Sequence, residues 1–278
     1  MSLRSANINV MIKAARKAGR SLIHDFNEVE HLQVSTKGPA DFVSQADLKA
    51  ETILIEELQY ARPDWGFLLE ENGVIKGSDP DYRWIVDPLD GTLNFLHSIP
   101  HFAISIGLEY KDTLIAGGIY APITDEFFWA EKGRGAFLDH RRLRVSARKK
   151  MIESVFATGI PCANRKSQVE WLDEAAVLMP QTAGIRRFGS AALDLAYVAA
   201  GRYEGFWERG LSPWDIAAGI IIVKEAGGTV SDFDSSNTMM TSGDIVAANP
   251  DMHTPLIRAL RKAEKATARR KTAESGGE

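Results

Sequence analysis

Trp84-Ile85-Val86-Asp87-Pro88-Leu89-Asp90-Gly91-Thr92-Leu93-Asn94-Phe95 is the stretch on which the reading of this chain turns. The apolar run from Arg83 to Val86 has the composition of a short buried strand, and it leads directly into two carboxylates three residues apart. Pro88 fixes the backbone after Asp87, and Gly91 permits a tight turn after Asp90. Asp87 and Asp90 are therefore expected to point into one crevice at the strand end. Thr92 adds a hydroxyl, and the N–H groups from Gly91 onward can open a helix toward an anion. Two carboxylates ~4 Å apart repel by about 4 kcal/mol at an effective dielectric of ~20. Such a pair needs a cation or a shared proton, and hard oxygen ligands favour magnesium or calcium over zinc. Asp-Gly is also a common turn pair, so the stretch alone leaves two plain turn-forming aspartates open.

Working outward, further acids fall at element ends. Glu70-Glu71 follows the apolar run Gly66 to Leu69, where a solvated loop is the bland alternative. Asp47 lies three residues after Ser44 at a helix start, where it could serve a capping box. Asp215 follows Pro213-Trp214 and opens an apolar helix, where an N-cap is the ordinary role. Glu208 sits in Trp207-Glu208-Arg209-Gly210 at a strand end, where a surface salt bridge would also explain it. No one of these is decisive. Together they place separate acids at the ends of elements, where crevices form in layered α/β structures.

The remaining pattern is α/β. Helices are expected over Ser5 to Phe26, Ser44 to Ala61, Val169 to Met179, Ala191 to Ala200, Ile216 to Ala226 and Met252 to Lys262. Short strands are expected at His31 to Thr36 and Trp65 to Leu69, with a turn at Lys37-Gly38-Pro39. From Phe102 to Val145 four strand-like runs separated by turn residues form an antiparallel meander, with Lys111-Asp112 and Gly133 to Gly135 as hairpin turns. After Lys150 strand and helix alternate, with strands at Ser154 to Ala157, Ile185 to Phe188, Tyr203 to Trp207 and Asp244 to Ala248. The layout predicts two packed α/β halves: residues 1–145 with most of the acids, 146–265 with Asp215, and a disordered tail at 266–278.

Composition narrows the class. At 278 residues and 45% hydrophobic content the chain can bury a large core. The net charge of −4, with no long basic run before the C-terminus, speaks against nucleic acid as the main partner. The single cysteine, Cys162, excludes an intramolecular disulfide and fits a cytoplasmic location. No segment approaches the ~20 apolar residues of a membrane span. A P-loop and a His-Glu-x-x-His motif are absent, and Pro100 spoils a helical zinc pair between His97 and His101. The Asp87/Asp90 spacing is three, not the two of an Asp-x-Asp nucleophile pair, so no phospho-aspartate is expected.

With these residues in place, the sequence resembles the inositol monophosphatase family from about Ile8 to Leu260, and its bacterial members most closely. The resemblance rests on Leu69-Glu70-Glu71, on Trp84 to Phe95, and on Trp214-Asp215-Ile216-Ala217-Ala218-Gly219 followed by Glu225-Ala226-Gly227-Gly228. It implies an αβαβα sandwich, a homodimer, magnesium dependence with two to three ions, lithium inhibition, and hydrolysis of a small phosphorylated polyol by in-line attack of a metal-activated water. Residue by residue, it implies that Glu70, Asp87 and the Leu89 carbonyl hold one ion, and that Asp87, Asp90 and Asp215 hold a second. A third, weaker ion falls near Glu70. Thr92 and Asp47 match the pair that orients the water, and the Gly91 and Thr92 N–H groups match the phosphate cradle. Gly189, Ser190, Ala191, Glu208 and again Asp90 match the polyol-contacting region. Leu69 stands where many members have Gly, and Leu93 where a second Thr is frequent. The same core motifs serve histidinol-phosphate, fructose-1,6-bisphosphate and nucleotide 3′-phosphate phosphatases. A regulatory or binding protein that keeps this scaffold is the alternative from another class.

Overall fold

The computed structural model describes residues 4–28, 34–38, 41–161 and 168–275. His31, Pro39 and Cys162, which entered the sequence reading, lie outside these residues. The helices are α1 (Ala6–Phe26), α2 (Gln45–Ala61), α3 (Thr92–Leu96), α4 (Gln168–Leu178), α5 (Ala191–Ala199), α6 (Pro213–Glu225), α7 (Met239–Ser242) and α8 (Pro250–Ser275). A two-stranded ribbon, β1 (Val34–Gly38) with β2 (Asp41–Ser44), precedes α2.

The first sheet contains β3 (Trp65–Leu69), β4 (Gly73–Ile75), β5 (Asp79–Asp90), β6 (Ala103–Tyr110), β7 (Thr113–Ala121), β8 (Glu126–Glu131), β9 (Gly135–Leu138) and β10 (Arg141–Arg142). Its order is β10-β9-β8-β7-β6-β5-β3-β4. From β5 to β10 every neighbour is antiparallel, the meander expected from the turn spacing, while β3 runs parallel to β5. The second sheet contains β11 (Val155–Thr158), β12 (Gly184–Arg186), β13 (Gly205–Glu208), β14 (Thr229–Ser231) and β15 (Ile245–Ala248), in the order β12-β11-β13-β15-β14. It is mixed: β11 is parallel to β12 and β13, and β15 is antiparallel to β13 and β14.

These elements stack as five layers. α1 and α2 pack together on one face of the first sheet. α1 does so because Ile8, Met11, Ala15, Ala18 and Leu22 recur at helical spacing and are all buried. α5 and α6 fill the space between the two sheets, and α4 and α8 cover the outer face of the second. A sheet covered on both faces explains why β6 and the centres of β5, β7 and β8 read as unbroken apolar runs. Trp84, Trp129 and Phe102 belong to the core under α1 and α2, and each such side chain contributes about 1.5–3 kcal/mol by burial. The central core mixes Phe128 and Ile119 of the first sheet with Ile216, Ile222, Leu195 and Phe206 from the later half of the chain.

Some boundaries differ from the sequence reading. β5 is much longer than Arg83 to Val86, extending through both aspartates to Asp90. β12 ends at Arg186, leaving Phe188 in an exposed loop whose carbonyl accepts a hydrogen bond from Asn94 Nδ2 at 2.7 Å. β14 and α7 are too short to carry a periodic signal. The tail expected to be disordered from residue 266 instead continues α8 to Ser275. Ala263 is buried, and the buried Thr267 hydroxyl donates to Asp173 Oδ2 of α4 at 2.6 Å, so that stretch is anchored.

Candidate active site

In a regular strand, residues three apart face opposite sides, so Asp87 and Asp90 should not share a crevice. The pairing of β5 with β6 resolves this: Asp87 faces Ser105 and Asp90 faces Ala103, three residues on one strand against two on the other. This bulge turns both carboxylates to the same side. The Leu89 N–H donates to Asp87 Oδ1 at 2.8 Å and fixes the first of them.

Asp215 arrives from α6 by close packing. Gly107 and Gly117 of the first sheet lie under this helix. A Cβ at Gly107 would meet Ala217 Cβ at 2.8 Å, and one at Gly117 would meet Ala218 Cα at 2.8 Å. The missing side chains let the helix sit down on the sheet. The Ser105 hydroxyl, directly opposite Asp87 in the ladder, donates to the Trp214 carbonyl at 3.0 Å and sets the position of the α6 N-terminus. Asp215 is at N3, and its Oδ2 accepts the Ser212 N–H at 2.7 Å in a capping box. The N-cap is therefore Ser212, not Asp215. As a result, Asp87, Asp90 and Asp215 each offer an oxygen within 4.8 Å of the others.

The other expected residues surround this cluster. Asp47, in the first turn of α2, is fully buried, and its Oδ1 is 3.1 Å from Thr92 Oγ1. The same hydroxyl is 3.0 Å from the Leu89 carbonyl, so one proton has two acceptors within reach. Gly91 has φ +95°, a left-handed conformation that favours glycine, and it begins α3. A Cβ there would also approach the His101 and Gly189 carbonyls to 3.1 and 3.2 Å. Glu70 follows β3, its N–H donating to the Val86 carbonyl at 3.2 Å. The buried Glu51 carboxylate, not singled out from sequence, receives the N–H groups of Glu71 and Asn72, each at 3.0 Å, and holds that loop.

A cavity of about 390 Å³ opens beside the acids, lined among others by Glu70, Asp90, Asp215, Gly189, Ala191 and Glu208. Ser190 also lines it: it is buried, and its hydroxyl donates to Asp90 Oδ2. The Ala192 N–H reaches the same oxygen at 2.8 Å. The start of α5 thus grips Asp90. Asn94 holds the loop next to it, donating to the His101 and Phe188 carbonyls at 2.8 and 2.7 Å. Asn94, Ser105 and Glu51 position the site through contacts distant in sequence, and no local pattern marks them. Asp194 and Arg187 also line the cavity and were not singled out.

The electrostatics follow from crowding. Burial, then the charges of Glu70, Asp90 and Asp215, push the Asp87 carboxyl well above the usual range. Burial raises Asp215 likewise, with Asp90 the next cause. Asp90 is pushed up to about 6 by burial, against the lowering effect of its bonds from Ser190, Ala192 and Ala191. A hard divalent cation among these oxygens would offset the cost, so the donor set fits a metal of the magnesium or calcium type.

The chain matches the profile of the inositol monophosphatase family over residues 4–265. It belongs to that family. The inositol-1-monophosphatase of Mesorhizobium japonicum is 55% identical over 259 residues, covering 93% of this chain and 97% of that protein. The Nus factor SuhB of Escherichia coli is 41% identical over 254 residues, covering 91% and 95%. The crystal structure of extragenic suppressor protein suhB from Bartonella henselae superposes with a TM-score of 0.91 at 55% identity, covering 93% of this chain and 99% of that one. Inositol monophosphatase family members are metal-dependent phosphatases, and this chain is a phosphatase with a carboxylate cluster suited to that dependence. The two departures from the family pattern have separate consequences. Leu69 is buried in the core, away from the cavity lining, whereas Leu93 is half-exposed at the cavity wall.

Proposed function

We propose that this chain hydrolyses inositol monophosphate in a magnesium-dependent reaction with two to three ions. One observation carries the reading: three acids from two distant stretches, Asp87 and Asp90 with Asp215, converge within 4.8 Å beside a cavity that also holds Glu208. Glu70, Asp87, the Leu89 carbonyl, Asp90 and Asp215 would hold the ions. Magnesium bound there supplies Lewis-acid stabilisation of phosphate oxygens and lowers the pKa of a water.

The chain's own groups do the rest. Were an ion to take the Leu89 carbonyl, the Thr92 hydroxyl would donate its hydrogen bond to Asp47 alone, leaving its oxygen lone pairs to accept a hydrogen bond from the attacking water and orient it. The Gly91 and Thr92 N–H groups cradle the phosphate, and Glu208, with Asp90, Gly189 and Ala191, faces the polyol. Ser190 belongs to the same polyol-facing set and also holds Asp90. Attack is direct and in line, since no side chain in the cluster is set up as a covalent nucleophile. The family resemblance further supports a homodimer, lithium inhibition and a cytoplasmic location. Among the described residues, no helix is long and apolar enough to cross a membrane. Residues 1–145 would then form the half with most metal ligands, and 146–265 the half with Asp215 and the substrate contacts.

The test is a magnesium-dependent profile of phosphate release across inositol monophosphate, histidinol phosphate, fructose 1,6-bisphosphate and a nucleotide 3′-phosphate. Inositol monophosphate should have the highest kcat/KM, and excess chelator should abolish it. A higher value for another ester assigns the chain to that sister activity. Sedimentation of the purified protein tests the dimer. A second reading rests on relatives named Nus factor SuhB: an additional regulatory role alongside catalysis. Capture of RNA by the tagged protein, undiminished in a phosphatase-dead Asp87→Asn variant, would support it.

A further inference from the structure

Asp194 is the one acid on α5, within Ala191-Ala192-Leu193-Asp194-Leu195-Ala196-Tyr197-Val198-Ala199. It is only 1% exposed, and its Oδ1 has no hydrogen-bond partner among the described residues. Buried carboxyl oxygens of that kind are rare in folded proteins, because the lost hydration is not replaced. The capping of α5 does not explain it. Ser190 is the N-cap of α5, and the Asp194 N–H simply continues the helix to the Ser190 carbonyl at 3.0 Å. The Asp87, Asp90 and Asp215 cluster closes without it.

Its place is informative. Asp194 lies four residues after Ser190, on the same face of α5, one turn beyond the group that grips Asp90. It lines the same cavity as Asp90 and Glu208. Burial first, and then the charges of Glu208 and Asp90, favour the protonated acid, while Arg187 opposes them. It therefore shares one cavity with the metal-side acids and with Glu208. Rotation about χ2, soft for an aspartate, exchanges the oxygen that faces the cavity.

We propose that Asp194 is a specificity-determining residue for the polyol half of the substrate, its carboxyl hydrogen-bonding, beside Glu208, a ring hydroxyl close to the ester carbon. The inference rests on the phosphatase reading above and goes further by assigning a recognition contact to a residue outside the family's implied set. An ester that has no hydroxyls gains nothing from Asp194.

The test compares myo-inositol 1-phosphate with phenyl phosphate, both in magnesium, for the wild-type protein and for Asp194→Leu and Asp194→Asn. The readout is the ratio of kcat/KM for the inositol ester to that for the phenyl ester. Leucine should lower this ratio about tenfold, the size of one hydrogen bond, with the loss carried by KM. Asparagine, which keeps a donor and an acceptor on the same frame, should stay within about threefold of wild type. The ratio cancels any general loss of folded protein, and thermal unfolding of each variant checks that loss directly. An unchanged ratio in both variants overturns the proposal. So does a loss in the leucine variant that asparagine does not rescue, since packing would then account for it. A wild-type protein that hydrolyses neither ester overturns the phosphatase reading and this inference with it. A wild type active on both, with variants that keep its ratio, overturns the inference alone.

Discussion

Thr92 has a single hydroxyl proton and two oxygens competing for it, Asp47 Oδ1 at 3.1 Å and the Leu89 carbonyl at 3.0 Å. Its duty in the proposed reaction depends on which of them receives the proton. Thr92→Val keeps the shape and removes the proton. We expect kcat to fall about 10²-fold, the scale of a misplaced reacting group, with KM little changed. Steady-state phosphate release measures this. The same variant withdraws one donor from the buried Asp47 and should cost about 1–3 kcal/mol in urea unfolding. The metal-site acids behave in the opposite way. In Asp215→Asn, magnesium-dependent turnover should fall at least about 100-fold. Thermal unfolding in chelator should show the variant as stable as wild type or more so, because one of several mutually repelling carboxylates has been neutralised. A variant with lowered stability in chelator would contradict that account of the cluster.

At the scale of elements, the decisive contact is α6 against the first sheet. Gly117 is invisible as a site residue in the sequence, yet it lets the helix come close enough for Asp215 to meet Asp87. Gly117→Ala places a Cβ 2.7 Å from Ile221 Cγ2 and 2.8 Å from Ala218 Cα. Overpacking of this kind costs about 1–3 kcal/mol. Because the helix also carries a ligand, we expect kcat at low magnesium to fall by more than the stability loss alone explains, with partial recovery at high magnesium. Unfolding curves and a magnesium titration of turnover separate the two effects. The bulge in β5 belongs to the same scale: without it, alternation would turn Asp90 away from Asp87.

At the scale of the whole molecule, the buried acids link folding to pH and to metal. Asp90 has a folded value of about 6, above the ordinary 3.8. The folded state therefore binds more protons than the unfolded chain between these values. Its contribution to stability is fully present below about pH 3.8 and is lost as pH rises through about 6, with Asp87 and Asp215 acting in the same direction. In chelator, this part of the stability should decline over that window. A cation that binds only the folded state stabilises by mass action, and protons compete with it for the carboxylates. The thermal shift produced by magnesium should therefore be larger at pH 7.5 than at pH 5. Equal shifts at both values would be inconsistent with binding at these acids.

Much of this was legible in the sequence for a physical reason. Runs such as Trp65 to Leu69, the meander turns and the period of α1 are local signals, set by side-chain alternation and backbone preference over a few residues. The acids at strand and helix ends were equally local, as residue types in a pattern. The sequence alone thus determined which chemistry the chain carries and which elements carry it. The tertiary structure decided which of those groups meet. It seated α6 on Gly107 and Gly117, gave the Ser190 hydroxyl to Asp90, enlisted Glu51, Asn94 and Ser105 as supports, extended α8 by anchoring Thr267, and buried Asp194 beside the cavity. Those outcomes depend on distances between residues far apart in the chain. Such distances are fixed only when close-packed layers come together, and no local pattern encodes them.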